Sequence, residues 1–170
     1  MSEIKFGSDF FEDPDILKAY LSSRHRSNSP NETLEKPIFL QLLGEVKGKL
    51  ILDLGCGDGM FALELFEAGC RNYLGIDASK QMVRIAKTVL MDRPANIVHS
   101  KIESLEYPTN QFDLVISRLA LHYVENIHEV FKKYLLVSNQ MADLFFLSSI
   151  QSLHLRIKAG NLEGSEKIGS

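Results

Sequence analysis

The chain has 170 residues, of which 45% are hydrophobic and 24% are charged, and its formal net charge is −3. This size fits one domain with a substantial core, and the charge lacks the basic excess typical of nucleic-acid-binding proteins. Two cysteines do not form a disulfide framework, and no apolar stretch is long enough to span a bilayer or to act as a signal region. We therefore expect a cytoplasmic protein with no nucleic-acid or membrane partner.

Two helices are predicted ahead of the first strand. Asp13 and Pro14 are typical of a helix start, and apolar residues follow them at helical spacing. The polar and basic stretch 22–31 is expected to form a loop. A second helix is predicted over 37–43, with Gly44 as its stop. We interpret residues 1–48 as a helical cap in front of an α/β domain.

The middle of the chain alternates predicted strands with predicted helices. Apolar runs predict strands over 49–54, 73–76, 96–99 and 112–117. Apolar periodicity predicts helices over 60–67, from Ser79 to about residue 91, and around 127–135. This alternation indicates a parallel sheet with right-handed crossover connections.

The strongest functional signal is residues 51–59, which read Ile-Leu-Asp-Leu-Gly-Cys-Gly-Asp-Gly. An apolar strand followed by alternating glycines lets a ligand approach the backbone at the start of a helix. A dinucleotide-binding loop requires a third glycine where this chain has Met60, and a P-loop requires a Gly-Lys-Ser/Thr sequence that is absent. A third candidate ligand is S-adenosylmethionine, which has no phosphate; the chain has one carboxylate before the loop, Asp53, and another, Asp77, at the end of the second predicted strand.

Three segments together resemble the class I S-adenosylmethionine-dependent methyltransferases. Residues 53–59 resemble motif I of that family, residues 74–79 resemble motif II, and residues 112–123 resemble motif IV with its extension. The resemblance covers roughly residues 10 to 135. It implies a Rossmann-like α/β three-layer sandwich with strand order 3-2-1-4-5 over residues 49–150. It also implies S-adenosylmethionine as cofactor and S-adenosylhomocysteine as product.

The resemblance assigns roles to individual residues. Asp77 would accept hydrogen bonds from both ribose hydroxyls, although a helix-capping or turn aspartate is the structural alternative. Gly55 and Gly57 would let the backbone approach the methionine moiety, and Asp53 would interact with its amino group, often through water. The expected cofactor-binding residues are Asp53, Gly55, Cys56, Gly57, Asp77, Ala78, Met82, Ile102, Glu103 and Ser117.

Further assignments concern the adenine and the sulfonium. Met82 would pack near the adenine or belong to the core. The backbone N–H of Ile102 and the carboxylate of Glu103 would contact the adenine edge, while Lys101 departs from the aspartate that many relatives have there. Ser117 and Arg118 would lie beside the sulfonium, contacting the ligand partly through their backbone.

The implied reaction is methyl transfer by in-line displacement, which needs a protein base only when the acceptor arrives protonated. His122 and then Tyr123 are the candidate bases, and a pocket-wall or core histidine is the alternative for His122. Arg24 could pair with the cofactor carboxylate or belong to a solvated loop. The catalytic residue remains open, and the histidines do not have the spacing of a metal site.

The end of the chain departs from the family pattern. Residues 141–150 are apolar enough for a strand, but we expect no room for the late antiparallel strands and a disordered tail over 151–170. A truncated or divergent end would leave an open sheet edge, through which the chain could form a homodimer. Two functions therefore compete: a methyltransferase acting on a small-molecule acceptor, and an impaired protein that binds S-adenosylmethionine without turnover. A dinucleotide-dependent oxidoreductase is the less favoured third function.

Overall fold

A computed structural model describes residues 7–104, 106, 111–124, 126–147, 152–156 and 165–167. Its central parallel strands are β1 (Leu50–Leu54), β2 (Asn72–Asp77), β3 (Ala95–His99), β4 (Phe112–Arg118) and β5 (Ser138–Leu147). The α-helices are α1 (Pro14–Arg24), α2 (Lys36–Leu43), α3 (Met60–Glu67), α4 (Lys80–Val89) and α5 (Ile127–Val137). None of the helices in these ranges is long and apolar enough to cross a membrane.

The sheet has the order β3-β2-β1-β4-β5, which confirms the order that the family resemblance implies. β1 lies at the centre, and its Leu52 is opposite Leu74 of β2 and Val115 of β4. Because all five strands are parallel, their carboxyl ends meet at one edge of the sheet. This edge holds the glycine-rich loop that follows β1.

Two further strands correct the expectation that the late strands are missing. β6 (Ser152–Arg156) pairs antiparallel with β5, and β7 (Ser165–Lys167) pairs antiparallel with β6. The expected lack of room is wrong because antiparallel neighbours need only a short connection, whereas parallel strands need a long crossover. β6 also covers the edge of β5 that we expected to be open, and both strands lie in the tail predicted to be disordered.

Helices on both faces of the sheet form the predicted three layers. Alternate residues of β1 point to opposite faces, so Ile51 lies in one buried cluster while Leu52 and Leu54 lie in the other. The first cluster is closed by residues of α2, α3 and α4, and the second by Val130 of α5.

The N-terminal cap contains the two predicted helices. The carboxylate of Asp13 accepts hydrogen bonds from the N–H groups of Asp15 and Ile16, which confirms its role at the start of α1. The loop predicted over 22–31 is shorter than expected, because α1 continues to Arg24 and a π-helical turn, Asn31–Glu35, precedes α2.

A buried arginine joins this cap to the end of β4. The Nε of Arg118 donates to both carboxylate oxygens of Glu35, at 2.9 and 2.7 Å, and its Nη2 donates to the carbonyl of Asn31 at 2.9 Å. The guanidinium also lies over the ring of Phe61, with 5.0 Å to the ring centroid. Arg118 is only 6% exposed, so the charge is balanced mainly by the cap.

Replacing Glu35 with alanine should therefore destabilise the protein by about 3 kcal/mol, since a buried guanidinium loses its closest counter-charge. Urea unfolding measures this change. The matched control is Glu129→Ala, which removes an exposed ion pair with Lys132 and should leave the unfolding midpoint almost unchanged. Equal effects of the two substitutions would contradict the anchoring role of Glu35.

Candidate functional site

A cavity of about 800 Å³ lies where the carboxyl ends of the strands meet the N-terminal cap. The cap contributes Phe11, Tyr20, Leu21 and Arg24 to its wall. The segments after β1, β2, β3 and β4 supply the opposite wall, which is where open α/β sheets bind ligands. The cavity is large enough for a cofactor or a drug-sized molecule.

Seven of the ten residues predicted to bind the cofactor line this cavity, so the structure brings most of them together at one site. They are Gly55, Gly57, Asp77, Ala78, Met82, Ile102 and Glu103. The other three, Asp53, Cys56 and Ser117, do not line it. Lys101, the departure from the family pattern, lies in the cavity wall as well.

The glycine-rich loop is held tightly against the end of β2. The N–H groups of Gly55 and Cys56 both donate to the carbonyl of Ile76 at 2.9 Å. Gly55 has a φ of +85°, and a Cβ on it would collide with the Cβ of Ala120 after β4. Gly57 has a φ of +57°, and a Cβ there would enter open space. Gly55 therefore permits the loop to lie close to Ala120, and Gly57 keeps the cavity free of a side chain.

Asp77 is the acidic residue of the cavity wall at the end of β2. Its Oδ2 accepts from the N–H of Gly57 and its Oδ1 from the N–H of Ser79, both at 2.9 Å. Burial raises the pKa of this carboxyl, while the two backbone hydrogen bonds lower it. Asp77 thus makes the contacts expected of a helix-capping or turn aspartate. Each of its carboxylate oxygens can still accept one more hydrogen bond, for example from a ligand.

Asp53 lies in β1 below the loop and is 3% exposed. Its Oδ2 accepts a 2.6 Å hydrogen bond from the hydroxyl of Tyr73. Its Oδ1 is buried and has no hydrogen-bond partner within the described part of the chain. Burial raises the pKa of Asp53 to about 6, against the lowering effect of the Tyr73 hydrogen bond.

Cys56 and Ser117 have structural contacts that keep them away from the cavity wall. The thiol of Cys56 lies over Gly75, where a Cβ would be only 2.9 Å from its sulfur, and burial raises the pKa of that thiol. The hydroxyl of Ser117 donates to the carbonyl of Leu54 at 2.7 Å and so joins β4 to β1. A buried thiol with a raised pKa is a poor nucleophile.

Two ionisable side chains of the cap also reach the site, and of these Arg24 was the sequence-based candidate for pairing with the cofactor carboxylate. The Nε2 of His25 lies 2.5 Å from Oδ2 of Asp58, a residue of the cavity wall. Arg24 donates to the hydroxyl of Tyr20 at 2.9 Å and makes no ion pair among the residues that the structure describes. In the described part of the cavity wall, the Asp58 carboxylate is thus paired with the cap, whereas the Arg24 guanidinium has no carboxylate at salt-bridge distance.

The candidate bases follow β4. His122 belongs to the short 3-10 helix Leu121–Tyr123, but its side chain lies outside the described part of the structure. Tyr123 lines the cavity, and burial raises the pKa of its hydroxyl. Leu119, also in the wall, has a φ of +60°, which costs energy in a non-glycine residue and is typical of functional sites.

The fold and the site together define a Rossmann-like domain with a cavity of ligand size at its glycine-rich loop. Residues 52–138, half of the chain, match a family model described as a methyltransferase domain. The chain therefore belongs to the methyltransferase domain family.

Several proteins are similar to this chain. A crystal structure of an S-adenosylmethionine-dependent methyltransferase from Mesorhizobium loti has 31% identity and a TM-score of 0.64, over 71% of this chain and 54% of that one. An uncharacterised protein from Haemophilus influenzae is 35% identical in an alignment of 122 positions that covers 68% of this chain and 48% of the relative. This chain spans about half the length of the relatives compared.

A more distant neighbour shows the fold alone. Phosphoethanolamine N-methyltransferase 2 from Haemonchus contortus, solved with S-adenosylhomocysteine, has a TM-score of 0.71 and 17% identity. The match covers 86% of this chain and 36% of that one.

From the raised pKa of Asp53 we predict how the stability of the ligand-free protein depends on pH. A carboxyl whose folded-state pKa is about 6, above its ordinary 3.8, stabilises the fold below about pH 4 and loses that contribution as the pH rises through 6. Asp53→Asn lacks this titration. Its stability relative to the wild type should therefore improve by about 3 kcal/mol between pH 4 and pH 7, as measured by urea unfolding. If the free energies of unfolding of the two proteins change in parallel with pH, the raised pKa of Asp53 is contradicted.

Proposed function

We propose that the protein is an S-adenosylmethionine-dependent methyltransferase that acts on a small-molecule acceptor. The observation that carries this proposal is the carboxylate of Asp77, which lies in the cavity wall and holds the glycine-rich loop through Gly57. A paired-hydroxyl ligand such as a ribose matches the remaining acceptor capacity of that carboxylate. Membership of the methyltransferase domain family supports the same function.

The residues of the site fit this cofactor. Gly55 and Gly57 leave space beside the backbone for its methionine part, and Asp53 has a buried oxygen that lacks a partner among the described residues. Arg24 offers a guanidinium that suits the carboxylate of that part. Ile102, in the wall after β3, lies where the family resemblance places the adenine.

Bound S-adenosylmethionine would supply a methyl carbon on its sulfonium for in-line attack by an acceptor nucleophile, with S-adenosylhomocysteine leaving with the electron pair of the broken C–S bond. The contribution of this chain is to orient both reactants and to exclude water. Phe11 and Tyr20, whose ring centroids are 4.8 Å apart, cover the cavity from the cap. The hydroxyl of Tyr123 is protonated near neutral pH, and burial raises its pKa further, so it would donate a hydrogen bond to the acceptor rather than act as its base.

The alternative of binding without turnover rested on missing late strands. β5, β6 and β7 extend the sheet beyond β4, so that argument loses its basis. The alternative of dinucleotide binding predicts a preference for NAD, which the following experiment measures directly.

Calorimetry should show binding of S-adenosylhomocysteine and no comparable binding of NAD. Asp77→Asn should weaken S-adenosylhomocysteine at least about tenfold, because the amide cannot accept from two hydroxyls as a carboxylate does. The matched control is Asp113→Asn, a carboxylate that accepts from the N–H of Leu50 at the opposite end of the sheet. It should bind like the wild type.

Turnover is tested by transfer of a labelled methyl group from S-adenosylmethionine to fractionated metabolites. The wild type should label an acceptor, and Asp77→Asn should label it more slowly at a limiting cofactor concentration. Preference for NAD would overturn the proposed function, and tight binding without any labelling would favour the binding-only alternative.

A further inference from the structure

Tyr73 is a buried polar residue next to the site that the proposed mechanism does not use. It lies in β2, is 2% exposed, and donates its hydroxyl hydrogen bond to Oδ2 of Asp53 at 2.6 Å. Its ring packs against Phe66, and a Cβ on Gly75 would be 2.8 Å from its Cε1 atom. These contacts restrict the buried ring, so the hydroxyl is held at one position.

The other carboxylate oxygen of Asp53, Oδ1, needs a hydrogen-bond donor. Oδ1 is buried and lacks a hydrogen-bond partner among the residues that the structure describes. A buried carboxylate oxygen without a donor is costly, so a ligand that brings a cationic donor gains from meeting it. Asp53 precedes Gly55 of the cavity wall by two residues. A primary ammonium at the glycine-rich loop, in direct contact or through one water, satisfies this oxygen.

We propose that Tyr73 is a positioning residue for the amino group of the cofactor: it occupies one oxygen of Asp53 and thereby holds the other, in the ionised form, for the ammonium. This inference rests on the proposed function, since S-adenosylmethionine carries that amino group. Tyr73 itself does not line the cavity, so it acts only through Asp53.

The charges around Asp53 make its ionisation sensitive to this hydrogen bond. Burial raises its pKa, the Tyr73 hydrogen bond lowers it, the negative charge of Asp77 raises it, and the cations Arg118 and Arg24 lower it, with a result of about 6. The Cys56 thiol also lies near, but its raised pKa keeps it neutral. Loss of the Tyr73 hydrogen bond therefore moves the pKa of Asp53 towards neutrality, where the ammonium loses its counter-charge.

The test compares two ligands that differ in the amino acid part. S-adenosylhomocysteine contains the amino group, whereas methylthioadenosine has only the adenosine and the thioether. Tyr73→Phe should weaken S-adenosylhomocysteine about tenfold near neutral pH and shift the midpoint of its pH-dependent affinity upwards. Methylthioadenosine should bind the variant and the wild type equally.

A second readout needs no ligand. Carbon-detected NMR should show the carboxyl of Asp53 titrating at a higher pH in Tyr73→Phe than in the wild type. Asp53→Asn provides a second variant that keeps the shape but not the charge, and its affinity for S-adenosylhomocysteine should be low and independent of pH. The control is Cys70→Ala, which removes a buried sulfur that donates to the carbonyl of Asn72. It should lower stability without changing either pH profile.

The outcomes separate this inference from the proposed function. Equal weakening of both ligands by Tyr73→Phe, or an unchanged titration of Asp53, overturns the positioning role while the cofactor assignment stands. If the wild type binds neither ligand, the proposed function fails together with the role for the ammonium. Selective weakening of S-adenosylhomocysteine with a shifted pH profile supports the proposal.

Discussion

The hydrogen bond from the N–H of Gly57 to the carboxylate of Asp77 joins the two loops on which the site depends. Two more N–H groups, of Gly55 and Cys56, bind the carbonyl of Ile76 at the end of the same strand. Together these hydrogen bonds fix the glycine-rich loop to β2, so the segments that follow β1 and β2 form one continuous part of the cavity wall. The carboxylate of Asp77 therefore has two roles, because it holds the glycine-rich loop in place and also lies in the cavity wall where a ligand would contact it.

The cap depends on this loop and on its neighbours. Glu12 accepts from the hydroxyl of Ser79 and the N–H of Lys80 at the start of α4, at 2.9 and 2.8 Å. His25 contacts Asp58 of the loop itself. Together with the Arg118–Glu35 pair, these polar contacts hold the cap at separate points around the cavity, and the apolar and aromatic side chains of the cap cover it.

Elements with local signals could be predicted from the sequence. Helix α3 has the predicted bounds 60–67, because a loop of glycines precedes it and its apolar residues follow a helical period. Ser79 begins α4 as expected, since its hydroxyl accepts from the N–H of Met82. The alternation of four predicted strands with three predicted helices then indicates a parallel sheet, whose strand order the family resemblance implies.

Features that depend on distant contacts could not be predicted. Arg118 and Glu35 are 83 residues apart, and no local pattern shows that they meet. The β6 strand is defined by its pairing with β5 and β7, so the sequence-based expectation of a disordered tail was wrong there. Cys56 follows a family motif, but its side chain turns into the core because Gly75 leaves room for it.

The central claim is that the cavity between the cap and the strand ends is the cofactor site. A crystal structure of the protein with S-adenosylhomocysteine tests it most directly. We predict that both ribose hydroxyls lie within hydrogen-bond distance of Asp77 and that the amino acid part lies along Gly55 to Gly57. A ligand bound elsewhere, or a ribose that does not contact Asp77, would contradict this account.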